Sequence, residues 1–106
     1  MRKFLFLTAA ASLMASGALA ATAVAPAKLD GAKLLPLAKV SLAKARATAM
    51  AARPGTITDQ ELEKERGGTG LRYSFDIDDK GKTFEVGVDA RTGKVLENKA
   101  EGPNPD

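Results

Sequence analysis

Two stretches of alternating apolar and polar residues, joined by a turn sequence, constrain the fold more than any other feature. Every second residue from Leu71 through Tyr73 to Ile77 is large and apolar, and the same twofold period returns in residues 84–88. This period is typical of strands with one buried and one exposed face. Between them, residues 78–81 read DDKG, and Gly81 can adopt the positive φ of a hairpin turn. The sequence therefore predicts two adjacent antiparallel strands.

Two further strands are expected on either side of this hairpin. Upstream, residues 56–66 have strand composition, but Ile57 and Leu62 differ in parity, so a bulge or bend near residues 59–60 is needed if both point inward. Downstream, residues 89–94 form a second tight turn with a glycine at position 93, and a short strand opens at Val95.

A single helix is expected before the strands. Ser41 can act as its N-cap, residues 42–52 are rich in alanine, and an Arg-Pro-Gly sequence at 53–55 ends it. At 100° per residue its apolar positions share one narrow stripe, which should face the sheet; they are Leu42, Ala45, Ala49 and Ala52. The predicted fold class is α+β, with one α-helix packed on a four-stranded antiparallel β-meander.

The N-terminal residues have the three parts of a secretory signal peptide. Residues 1–3 are Met-Arg-Lys, residues 4–14 are apolar, and Ala18-Leu19-Ala20 is a small-x-small cleavage sequence. The apolar part is too short to span a membrane. We therefore expect cleavage after Ala20, a periplasmic or secreted product, and no stable membrane insertion.

The rest of the chain divides by composition into three parts. We expect a flexible leader over residues 21–37, one folded domain over residues 38–98, and a polar, disordered tail over residues 99–106.

The composition disfavours most enzyme chemistry. The chain contains no His and no Cys, which removes the commonest zinc ligands, the thiol nucleophile and the usual base for a serine nucleophile. The DIDDKG sequence at 76–81 resembles the start of a calcium loop, but Lys80 and Gly87 occupy positions where ligands are required. The sequence predicts no catalytic activity, no cofactor and no metal. With few aromatics, nucleic-acid binding is also not expected.

Charge is distributed unevenly along the chain. Residues 28–53 carry six basic groups against one acidic group, whereas residues 54–106 carry eight against twelve. Glu61, Glu63 and Glu65 alternate on one strand face and are, with Tyr73, the candidate partner surface. The three glutamates either attract a basic partner or form a solvated face that discourages edge pairing. Both interpretations remain open from the residues alone.

Several segments, in order, resemble a PepSY domain. They are VSLAKA at 40–45, Pro54-Gly55, ELE at 61–63, YSFDI at 73–77 and VDARTGKVL at 88–96, the last being the most specific. The resemblance covers residues 38–98 and implies a helix against a small antiparallel sheet.

PepSY domains occur in propeptides of secreted metallopeptidases and in exported proteins that have no peptidase. The resemblance thus implies a non-enzymatic domain that binds and restrains or modulates a protease or another envelope protein, acting in trans. The alternative is a module that binds a peptide, a small ligand or an envelope component, unrelated to proteases. The sequence does not decide between a monomer and a homodimer.

Overall fold

The chain folds as one α-helix packed on a four-stranded antiparallel sheet, which confirms the predicted α+β class. A computed structural model describes residues 28–102; the predicted signal peptide, residues 21–27 and residues 103–106 lie outside this range. The elements are α1 (Leu42–Ala52), β1 (Thr56–Lys64), β2 (Leu71–Asp79), β3 (Lys82–Asp89) and β4 (Val95–Ala100). Each strand pairs with the next along the chain, in the order β1-β2-β3-β4.

Helix α1 begins and ends where the sequence predicts. The Ser41 hydroxyl accepts a hydrogen bond from the Lys44 N–H at 3.1 Å, which satisfies one of the free donors of the first turn. Ala45 and Ala49 are fully buried against the sheet. Because their side chains are small, the helix can lie close to β2 and β3.

The core lies between α1 and one face of the sheet. Its sheet side is supplied mainly by β2 and β3, whose alternate residues point toward the helix, as the twofold period predicts. The fully enclosed residues are Ala45, Ala49, Ile57, Leu62, Leu71, Tyr73, Phe75, Ile77, Val86, Val88 and Ala90. The Tyr73 hydroxyl donates to the Val40 carbonyl at 2.7 Å, so its polar end is satisfied inside the core.

A bulge in β1 reconciles the two parities of that strand. Ile57 pairs with Ile77, but the next pair joins Asp59 to Asp76, so Thr58 is the extra residue. Both Ile57 and Leu62 are consequently buried. The predicted bulge is confirmed, one residue earlier than expected.

The turn between β2 and β3 has the predicted hairpin geometry. Lys80 and Gly81 have φ values of 56° and 88°, the two positive values of a type I′ turn. The Gly81 N–H donates to the Asp78 carboxylate at 3.0 Å. Residues 76–81 therefore form the end of a strand and a hairpin turn.

Residues 28–37 correct the prediction of a flexible leader over residues 21–37. Asp30 bridges to β1, and a 3₁₀ helix follows at Ala32–Leu37. Gly31 supplies a left-handed φ of 82° before this helix, and the short helix accommodates Pro36. Leu29 and Leu34 pack on the core, which holds the segment in place.

The predicted tail also begins later than expected. Strand β4 continues to Ala100, and the Glu101 N–H donates to the Thr83 carbonyl at 2.9 Å. Residues 99–101 are therefore held against the sheet.

Candidate functional site

The face of the sheet opposite α1 is not covered by any element within residues 28–102. The strand register places on this open face the residues that alternate with the core positions. They are Asp59, Glu61, Glu63, Arg72, Ser74, Asp76, Glu85, Gly87, Glu97 and Lys99. Six of these ten are acidic and two are basic, so the open face is mainly negative.

The acids concentrate around a shallow cavity of about 160 Å³. We call this cavity the acidic basin; it is lined by Asp59, Glu61, Ser74, Asp76, Glu85 and Glu101. Strand β1 supplies two of these residues, β2 two, β3 one, and the residue after β4 the last. Five carboxyl groups thus converge with no basic side chain among the lining residues.

Asp76 is at the centre of the crowded carboxyl groups. It pairs with Asp59 on one side and with Glu85 on the other. Burial, the charge of Glu101 and a side-chain hydrogen bond with Glu101 together raise the pKa of Asp76 to about 6. Burial also raises the pKa of Glu85, with further contributions from neighbouring acids. A cation in the basin would relieve this repulsion.

Both cations of the open face bind Glu97, and Lys99 is also the β4 partner of the basin residue Glu85. Arg72 donates to the Glu97 carboxylate at 3.2 Å, and Lys99 lies 3.1 Å from the same carboxylate. Arg72 reaches β4 by crossing Gly87, where a Cβ atom would lie only 3.2 Å from its guanidinium. The negative potential is therefore concentrated in the basin, and not spread evenly over the face.

Asp76 should make stability depend on pH between about 4 and 7. The pKa of this group rises from 3.8 to about 6 on folding, so in this range the native state keeps a proton that the unfolded chain has lost. Stability from this group is therefore present at low pH and lost as pH rises. Because solvent screens an open face, we expect a loss of about 1 kcal/mol.

Denaturant unfolding at several pH values checks this expectation. Asp76→Asn should flatten the slope and be more stable than the wild type at neutral pH, whereas Asp30→Asn, at an exposed acid outside the basin, should keep the slope. An unchanged slope in Asp76→Asn would contradict the assignment.

Asp89 lies beside Arg72 at the end of the sheet, but its carboxylate has a structural role. Its carboxylate accepts hydrogen bonds from the Thr69 N–H and hydroxyl at 2.7 and 2.8 Å, and from the N–H groups of Arg91 and Thr92. Burial acts to raise the pKa of Asp89, but these bonds outweigh it and lower the pKa to about 2. Its acceptor capacity is used within the fold.

The four residues predicted to form a partner surface lie in different environments in the structure. Glu61 is exposed and lines the basin. Glu63 is half-buried and accepts a hydrogen bond from the Ser74 hydroxyl at 2.8 Å. Glu65 lies beyond the end of β1, and its hydrogen bond with Glu63 raises its pKa.

Tyr73 does not belong to this surface, which corrects its inclusion there. It has no exposed area and points into the core beneath α1. Its place in the β2 alternation, between Leu71 and Phe75, already indicated an inward position.

The residues that the sequence analysis missed are Asp59, Asp76, Glu85 and Glu101. A signal for three of them was present, because each has the polar parity of its strand. Their convergence depends on the register between the strands, which the bulge at Thr58 shifts. This register could not be predicted from the sequence.

The described residues also bear on metal binding and membrane insertion. In residues 28–102, no group of three or more acidic side chains is arranged to hold a metal ion. No helix in the same range is long and apolar enough to cross a membrane.

Comparison with known proteins supports the resemblance noted in the sequence. A model of the PepSY family, described as "Peptidase propeptide and YPEB domain", matches residues 39–99. No curated protein and no solved structure matches the chain. Domains of this family are propeptide-like and generally non-catalytic. The match covers more than half of the 106 residues and includes α1 and all four strands to within one residue of the end of β4. The chain therefore belongs to the PepSY family.

Proposed function

We propose that this protein is an exported, non-catalytic binding domain that restrains or modulates a protease or another envelope protein. We further propose that it docks through the open face, with a lysine or arginine side chain of the partner entering the acidic basin. The observation that carries this proposal is the convergence of five carboxyl groups, from β1, β2, β3 and the residue after β4, on an uncovered face.

Charge complementarity supports a basic partner. Burial and then the nearby carboxyl groups of Glu101 and Asp59 raise the pKa of Asp76, so a cation between these groups replaces repulsion with attraction. The basin is about as large as the end of one long side chain. The rest of the face is polar and partly neutralised, which suits the rim of a protein interface.

The proposed mechanism is occlusion. A flat sheet face can cover a partner's surface while one cationic side chain fixes the orientation. The protein then blocks access to the covered surface of the partner and catalyses no reaction itself. Electrostatic docking of this kind should be fast and salt-sensitive.

A second candidate is a module that binds a small cationic ligand or a free peptide, with no protease involved. The cavity itself favours it, because the basin is large enough for one ammonium or guanidinium group. The two candidates share the basin and differ in what surrounds the cation.

An inhibition assay with matched variants tests the proposal. The predicted mature chain, residues 21–106, is added to envelope extract of the host, and hydrolysis of a fluorogenic peptide is followed. Asp59→Asn with Glu61→Gln removes two negative charges from the basin. Ala43→Lys with Ala47→Lys changes the net charge equally on the exposed side of α1.

We expect the wild type and the helix variant to slow hydrolysis, and the basin variant to need about tenfold more protein. Equal potency of all three proteins would contradict docking through the basin. No inhibition, together with tight binding of a small cationic ligand, would favour the second candidate.

A further inference from the structure

The two edges of the sheet differ in how they are covered. At β1, the Asp30 N–H donates to the Gln60 carbonyl at 3.2 Å, and the Leu62 N–H donates to the Asp30 carbonyl at 2.8 Å. Residues 28–31 thus occupy this edge, and a Cβ atom at Gly31 would overlap the Leu62 carbonyl oxygen. At β4, the last strand of the sheet, no strand within residues 28–102 lies beyond it. One edge is covered and the other is open.

The register identifies the backbone groups at the open edge. The Glu101 N–H donates to the Thr83 carbonyl, which makes these residues a hydrogen-bonded pair with β3. Because such pairs alternate along an antiparallel ladder, the backbone N–H and C=O groups of Lys99 and Glu97 also point toward β3. Asn98 and Ala100 therefore direct their N–H and C=O groups outward, where another strand can pair with them.

The side chains around Asn98 are complementary to a second copy of the same strand. Glu97 and Lys99 flank Asn98, and both lie on the open face of the sheet. In an antiparallel pair centred on Asn98, Glu97 of each copy lies opposite Lys99 of the other. Opposite charges at directly paired positions stabilise a sheet. The Lys99 side chain is 69% exposed, so it can reach across to the second copy.

A lysine on an edge strand usually discourages pairing with another chain. In an antiparallel pair related by a two-fold axis, the glutamate two residues earlier would reverse that effect, because it would lie opposite the lysine of the other copy. The same surface is then used by both copies, as a closed two-fold interface requires.

We propose that two copies pair antiparallel along β4, about a two-fold axis at Asn98, to form a continuous eight-stranded sheet. The axis runs perpendicular to the sheet, so both α1 helices lie on one side and both acidic basins on the other. The dimer thus presents two docking sites in the same direction. This inference is independent of what the basins bind.

Sedimentation velocity on residues 21–106 tests the pairing, from about 10 µM to about 1 mM. We expect a monomer–dimer equilibrium in the wild type. Lys99→Glu places two glutamates opposite each other at both ends of the pair, and should weaken dimerisation about tenfold. Lys99→Gln removes the positive charge without placing two acids opposite each other, and should weaken dimerisation by only about threefold.

A backbone variant tests the same edge without changing charge. Ala100→Pro removes an N–H that faces away from β3, so the monomer should stay folded while the dimer is lost. Ala100→Val keeps the N–H and is the matched control. Circular dichroism confirms that each variant is folded.

A wild-type protein that stays monomeric at about 1 mM would overturn the proposal. A dimer that survives both Ala100→Pro and Lys99→Glu would also overturn it, because its interface would lie elsewhere.

Discussion

Replacing Asp89 with alanine should lower the free energy of unfolding by about 3 to 4 kcal/mol. Asp89 is 1% exposed and accepts four hydrogen bonds, three of them from backbone N–H groups. These bonds join the loop before β2, through Thr69, to the turn between β3 and β4, through Arg91 and Thr92. Without the carboxylate, the three N–H groups lose their acceptor and no other described side chain replaces it.

Two variants make this prediction specific. Asp89→Asn keeps one acceptor oxygen and should lose about half as much. Asp78→Asn, whose carboxylate accepts only the Gly81 N–H in an exposed turn, should lose less than about 1 kcal/mol. Urea unfolding followed by circular dichroism gives all three values. An Asp89→Ala variant as stable as Asp78→Asn would refute the structural role.

Asp89 should also affect acid stability in the opposite direction to Asp76. Its pKa falls from 3.8 to about 2 on folding, so its contribution is present above pH 3.8 and is lost as pH falls toward 2. Asp89→Asn should reduce acid sensitivity in that range.

Phe75→Ala should cost about 3 to 5 kcal/mol. Phe75 has no exposed area, lies at the middle of β2, and stacks 6.2 Å from Tyr73. The cavity left behind faces two alanines of α1, whose short side chains cannot fill it. A domain of this size is stable by only roughly 5 to 10 kcal/mol, so this loss is a large fraction of the total and should lower the urea midpoint markedly.

Phe84→Ala is the matched control for this substitution. Phe84 lies on the same face of the sheet but is only half-buried, with the Arg53 guanidinium 3.7 Å above its ring. We expect a loss of about 1 to 2 kcal/mol. Equal losses at the two positions, measured by urea unfolding, would contradict the location of the core.

The sequence predicted the elements whose signals are local. The twofold period of β2 and β3, the Ser41 cap and the glycine at position 81 each act within a few residues, and each predicted feature is present. The bulge in β1 was also predictable, because Ile57 and Leu62 cannot both face the core in a regular strand.

The features that the sequence did not predict depend on contacts between distant residues. Residues 28–31 are held by backbone bonds to Gln60 and Leu62, which no local pattern indicates. The basin likewise depends on the register that brings Asp59, Asp76 and Glu85 together. The predicted partner surface consisted of the alternating Glu61, Glu63 and Glu65 with Tyr73, whereas the carboxyl groups that converge come from neighbouring strands and the residue after β4.

Docking at the acidic basin is tested most directly by a nuclear magnetic resonance titration of ¹⁵N-labelled residues 21–106 with a lysine-rich peptide at neutral pH. We expect chemical-shift changes centred on Ser74, Asp76 and Glu85, and an affinity about tenfold weaker in the variant with Asp59→Asn and Glu61→Gln. The variant with Ala43→Lys and Ala47→Lys should bind like the wild type. Shifts on the helical side, or equal affinity in all three proteins, would contradict docking at the acidic basin.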